Sequence, residues 1–134
     1  QMVLGAEGVQ IGTRFALTEE SSASPVFKDY CLSLGEGDTK LLLKKLAPTR
    51  LVKNAFREAV EKAEDSGATS EELRTLLGRG RAKKGIFEGD LEEGELEIGQ
   101  VSAIISRQQS VAEVMNELVE SYRQAVEKKY LFER

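Results

Sequence analysis

Gly12 and Thr13 follow directly on the alternating run Val9-Gln10-Ile11, and their types and spacing suit ligand binding. A strand that exits on Gly-Thr brings two backbone N–H groups and a hydroxyl to one point. No side chain at Gly12 blocks close approach, so the geometry suits a phosphate. The same octapeptide, GVQIGTRF over residues 8 to 15, also reads as a buried strand followed by a turn.

Other chemistries are narrower. The chain has no histidine, which excludes a histidine general base or metal ligand within it. Its one cysteine, Cys31, excludes an internal disulfide framework and reads as a small interior helix residue. Arg79, Arg81, Lys83 and Lys84 form a basic group that fits either a phosphorylated or acidic partner or a solvated surface. Glu88, Asp90, Glu92, Glu93, Glu95 and Glu97 follow. Their spacing misses the pattern of a calcium loop, so no metal site is expected.

These residues must be held by elements legible in the pattern. QMVLG at residues 1 to 5 reads as the last turn of a helix ending at Gly5, and residues 8 to 12 as a strand. TEESSA from Thr18 places acids as in a first helical turn. Ser24 before Pro25 signals a helix from about Pro25 to Leu34, stopped by Gly35. Residues 39 to 46, TKLLLKKL, fit a strand or a helical turn equally. Pro48 and Thr49 open a helix whose apolar face runs from Leu51 to Ala63 and which ends near Gly67. Thr69 and Glu72 form a capping box for a short helix ending at Gly78.

Residues 78 to 99 are irregular and glycine-rich. Gly99-Gln100 opens an apolar segment, and Ser110 with Glu113 caps a final helix. Val111, Val114, Met115, Leu118, Val119, Tyr122, Ala125 and Val126 recur in it at helical spacing, with Met115 and Tyr122 expected in the core. A strand near the start with so few strands after it lacks sheet partners. The pattern therefore predicts the C-terminal piece of a larger protein.

Composition fits one globular domain: 134 residues, 40% apolar and 31% charged. A net charge of −4 argues against a nucleic-acid partner. No apolar run approaches the roughly 18 residues of a membrane span. A cytoplasmic location is expected.

Three stretches, LGAEGVQIGTRF, TEESSASPVFK and RGRAKKGIFEGDLEEGELEIGQVSAII, occur in order and at sensible spacing. Together they resemble the C-terminal portion of the nitronate monooxygenase (2-nitropropane dioxygenase) family and its relative, enoyl-[acyl-carrier-protein] reductase II. The resemblance implies an α/β fold, the last strand of an FMN-binding TIM-type (β/α)8 barrel followed by a mostly helical C-terminal extension. Residues 1–16 would end the barrel and residues 17–134 would form the extension.

Gln10, Ile11, Gly12 and Thr13 match the family's FMN segment, and by that match the N–H groups of Gly12 and Thr13, with the Thr13 hydroxyl, would hold the FMN phosphate. Gly99 and Gln100 match a GQ pair close to the flavin. The catalytic histidine and the remaining flavin contacts would lie in a missing N-terminal barrel portion. The implied chemistry is FMN-dependent oxidoreduction with NADH or NADPH, acting on an acyl-carrier-linked enoyl thioester in fatty-acid synthesis. The alternative substrate is an alkyl nitronate oxidised with oxygen, and a homodimer is compatible with either. Taken without the resemblance, the apolar faces at 51 to 63 and 111 to 126 also fit a non-enzymatic helical interaction module.

Overall fold

The computed structural model describes residues 4 to 127. Its elements run α1 (Thr13–Ala16), α2 (Pro25–Leu32), β1 (Thr39–Leu42), β2 (Thr49–Val52), α3 (Ala55–Asp65), α4 (Ser70–Leu77) and α5 (Val111–Glu127). A π-helical turn at Lys83–Phe87 and a 3-10 segment at Gln100–Ile104 lie between α4 and α5.

The strands pair antiparallel, Thr39 opposite Val52 and Leu42 opposite Thr49. Successive side chains of a strand point to opposite faces, and β2 uses this to separate two cores. Leu51 enters a cluster with Leu42, Leu43, Phe56, Val60 and Leu73. Val52 enters the other, with Leu17, Phe27, Cys31, Leu96, Ile98 and Ile105. Fully burying a side chain of this size contributes about 1.5–3 kcal/mol. The central position of β2 therefore matters more than its length.

Residues 49 to 52, expected as the start of a helix, are strand. Backbone pairing to β1 on one side and the Leu51–Glu97 bridge on the other override the helical spacing. Helix α3 starts only at Asn54, whose side-chain oxygen accepts the Arg57 N–H at 2.8 Å. TEESSA is a run of turns, not a helix start. Its Glu20 carboxylate accepts the Val111 N–H at 2.9 Å and so caps α5 from a distance.

Residues 8 to 12 form no paired strand, because no neighbouring backbone lies beside them among the described residues. Val9 is 74% exposed. Of the expected opening helix turn, residues 1 to 3 lie outside the described residues, while Leu4 and Gly5 form a turn.

The local start signals hold. The Ser24 hydroxyl accepts the Phe27 N–H ahead of α2. Both capping boxes form, Thr69 with Glu72 and Ser110 with Glu113. Cys31 is fully buried, and desolvation pushes its thiol up to about 12, so it packs as an apolar group.

Three of the four bases after α4 make contacts within the fold. Arg81 donates to the carbonyls of Leu77 and Glu93, at 2.9 and 2.6 Å, and lies 4.5 Å over the Phe56 ring. Lys83 pairs with Glu88 and Lys84 with Asp90. Lys84 and the backbone N–H groups of Glu93 and Glu92 hold the Asp90 carboxyl down at about 2. Glu88, Asp90 and Glu93 of the acidic run thus pair with the basic one.

Candidate active-site cleft

The extended segment ends at Gly12, whose carbonyl accepts the Ala16 N–H at 2.9 Å and starts α1. The N–H groups of Thr13, Arg14 and Phe15 then have no protein acceptor among the described residues. A Cβ built at Gly12 meets no atom within 4 Å. Gly12 thus opens onto free space beside three unpaired donors.

Thr13 is fixed from the far end of the chain. Its hydroxyl oxygen accepts the Gly99 N–H at 3.0 Å. That bond leaves the hydroxyl hydrogen available to a ligand. A Cβ at Gly99 would stand 2.5 Å from the Thr13 oxygen, so glycine is required for the approach.

These residues line a cleft of about 630 Å³. Gln10, Ile11, Gly12 and Thr13 all face it. Gly99 touches it through Thr13. Gln100 does not face it. Gln100 lines an adjoining depression with Gly35, Thr39 and Arg50, because the 3-10 segment turns it to the other side of the Val101–Ile104 ridge.

Arg14, Arg107, Gln109 and Glu117 also line the cleft and carried no signal in sequence beyond Arg14's place next to Gly-Thr. Arg14 donates to Glu117 at 2.8 Å and to the Gln109 side-chain oxygen. The Gln109 amide in turn donates to Glu117 at 3.2 Å. This network ties α1 to α5. Gln109 is itself anchored, since its carbonyl accepts the Glu19 N–H at 3.0 Å. The loop carrying Glu19 is held by the buried Lys28 ammonium, which donates to the Glu19 and Ser21 carbonyls at 3.1 and 2.8 Å. A cleft floor so cross-braced presents its donors in fixed positions.

Met115 and Tyr122, expected in the core, are 46% and 54% exposed. With Val9, Ile11, Phe15 and Val119 they line an apolar groove behind the cleft. Among the described residues no helix is long and apolar enough to cross a membrane.

Comparison with known proteins places this geometry within part of a larger α/β family fold. FabK from Thermotoga maritima superposes with a TM-score of 0.84 at 30% identity, over 95% of this chain and 40% of that one. Its M276A variant gives 0.76 at 28% identity, over 95% and 38%. A probable nitronate monooxygenase of Bacillus subtilis (strain 168) is 32% identical over 118 residues, covering 87% of this chain and 34% of the relative. The chain thus spans about a third of the length of that curated relative. A family model described as nitronate monooxygenase matches residues 1–121, and the chain belongs to that family.

Proposed function

We propose that the protein is an FMN-dependent oxidoreductase in which this chain supplies the phosphate end of the flavin site. The observation that supports it is the cleft at Gly12–Thr13: three unpaired N–H groups, a hydroxyl with its hydrogen free, and open space where a Cβ would stand. That donor set fits a phosphate monoester. When bound, FMN supplies hydride or electron relay between two substrates. The residues of this chain orient it: Thr13 and its neighbours by hydrogen bonds, Ile11 by apolar contact, and the Arg14–Gln109–Glu117 network by fixing α1.

The preferred reaction is that of enoyl-[acyl-carrier-protein] reductase II, using NADH or NADPH, in the cytoplasm. The likeness to FabK supports it. The basic stretch at residues 79 to 84 does not, since three of its four charges pair internally. The second reading, a nitronate monooxygenase, is favoured by the named curated relative. In either case the reading assigns the rest of the flavin pocket, and the catalytic residues, to a barrel portion outside this chain.

The test is stopped-flow reduction of the full-length, flavin-loaded enzyme. Bleaching of the flavin bands by NADH or NADPH, with re-oxidation by crotonyl-coenzyme A, supports the reductase. Bleaching by a propyl-2-nitronate followed by oxygen uptake supports the alternative. Colourless protein that takes up no FMN removes both.

A further inference from the structure

Four arginines are half-buried among the described residues: Arg14, Arg50, Arg57 and Arg81. Arg14 pairs with Glu117, Arg57 with Glu61 and Arg81 with Glu93. Arg50 has no carboxylate within 4 Å among the described residues. Its Nη1 donates only to neutral groups, the Thr39 hydroxyl at 3.2 Å and the Thr39 carbonyl at 3.4 Å. The other guanidinium N–H groups have no protein acceptor among the described residues. Partly burying a cation without a counter-charge is costly, and a bidentate fork left open is suited to an anion.

The place of Arg50 is fixed. It sits inside β2, opposite Leu41, and its carbonyl accepts the Ile98 N–H at 3.3 Å. Its side chain lines the adjoining depression of about 630 Å³, together with Gly35, Thr39 and Gln100. Glu36 also borders this space, but it is exposed on the loop, where solvent and salt screen its charge. Val101 and Ile104, which are 46% and 80% exposed, line both this depression and the Gly12–Thr13 cleft. One apolar ridge therefore separates two polar hollows.

We infer that the Arg50 depression is an anion subsite that receives a phosphate group of a phosphorylated co-substrate lying across the Val101–Ile104 ridge from the flavin phosphate. Arg50 supplies the charge, Thr39 aims it, and Gln100 adds an amide that can donate to the same group. This rests on the flavoenzyme reading for what occupies the neighbouring cleft. A nicotinamide dinucleotide and an acyl thioester of a phosphorylated carrier share the recognised chemistry, and the test separates them.

In the full-length enzyme, Arg50→Gln is compared with the native protein for four KM values: NADPH, NADH, crotonyl-coenzyme A and the phosphate-free crotonyl-N-acetylcysteamine. A rise of about tenfold for a dinucleotide, with both thioesters unchanged, assigns the site to the nicotinamide co-substrate. A similar rise for crotonyl-coenzyme A, with its phosphate-free analogue unchanged, assigns it to the acyl carrier. Each matches the loss of a charged hydrogen bond. Arg50→Lys, which keeps the charge, recovers part of the loss.

Calorimetric titration with inorganic pyrophosphate on FMN-saturated protein gives a readout independent of turnover, and binding is expected to fall about tenfold in Arg50→Gln. Should Arg50→Gln fail to fold, Thr39→Val, which removes the aiming hydroxyl alone, shifts the same constants about threefold. Should the native protein bind no FMN, the functional reading fails, while pyrophosphate titration of the flavin-free protein still tests Arg50. Unchanged KM values for all four substrates, or pyrophosphate binding indifferent to Arg50, overturns the subsite.

Discussion

The Thr13 hydroxyl accepts the Gly99 N–H at 3.0 Å across 86 residues of sequence. The bond joins the residue that faces the cleft to the residue that starts the 3-10 segment, and it fixes the distance between the two walls. A side chain at Gly99 would occupy the oxygen's place. Gly99→Ala is therefore expected to push Thr13 outward and weaken FMN binding in the full-length enzyme. Thr13→Ala should weaken it by about 1–2 kcal/mol, and Thr13→Ser much less. Flavin fluorescence titration measures all three, and equal affinity in Thr13→Ala and the native protein contradicts the assignment.

A second close approach holds the glycine-rich region together. A Cβ on Gly94 would overlap the Gly85 backbone, and one on Gly85 would stand 2.7 Å from the Leu96 side chain and 2.9 Å from the Glu95 carbonyl. The π-helical turn and the segment from Gly94 to Ile98 pack backbone against backbone here. Gly94→Ala has no flexible neighbour to displace. It should destabilise the protein by about 3 kcal/mol, measurable as a lowered midpoint in urea.

Glu95 makes stability depend on pH. It is 7% exposed, and burial, followed by the Glu97 charge and the hydrogen bond that the protonated Glu95 carboxyl donates to that side chain, raises its carboxyl from 4.5 to about 7. Arg81 faces it and opposes the shift. The folded state thus holds a proton that the unfolded chain releases near 4.5. The contribution of Glu95 to stability is greatest below that value, falls as pH rises to about 7 and then levels off. Glu95→Gln should flatten this decline and raise stability at pH 8 by on the order of 1 kcal/mol, since Arg81 and local relaxation moderate the penalty. Denaturation midpoints across pH 5 to 8 give the test.

Ser102 is fully buried and its hydroxyl has no partner among the described residues. Desolvating a hydroxyl without compensation costs about 1–3 kcal/mol. Ser102→Ala removes the polar atom and leaves almost the same shape. It is expected to hold or raise the thermal midpoint, whereas a clear fall would show that the hydroxyl has a bonding role.

How much of this was legible follows from the range of each signal. Ser24-Pro25, Thr69 with Glu72, and Ser110 with Glu113 are contained within four residues, and each starts a helix where the sequence places it. The helical spacing of Leu51, Val52, Ala55 and Phe56 misleads, because Leu51 and Val52 answer to pairing with β1 and Glu97, which a local window does not contain. Gly12, Thr13 and Gly99 were named from short motifs, yet their meeting depends on the chain between them. Arg14 reaches Gln109 and Glu117 over 95 and 103 residues, beyond any spacing rule. The family resemblance pairs Gln100 with Gly99, but one residue of rotation along the 3-10 segment sends it to the Arg50 hollow.

The apolar groove behind the cleft gives the last prediction. Val9, Met115, Val119 and Tyr122 are 74%, 46%, 42% and 54% exposed, and Ile11 and Phe15 join them in one concave surface. The spacing of Val111, Met115, Val119, Tyr122 and Val126 keeps them on one side of α5, so the stripe continues along the helix. Exposed contiguous apolar area of this kind drives association in water. The 134-residue chain expressed by itself should therefore self-associate, seen as concentration-dependent light scattering. It should also fail to bind FMN measurably, because its cleft offers contacts to the phosphate and few to the rest of the cofactor. Met115→Lys with Val119→Lys places two charges in the groove and should reduce the scattering without touching the cap of α5 at Ser110 and Glu113. Scattering unchanged in that double variant would show that this face is not what brings the molecules together. Tight, saturable FMN binding by a monomer would show that the cleft holds far more of the cofactor than its phosphate.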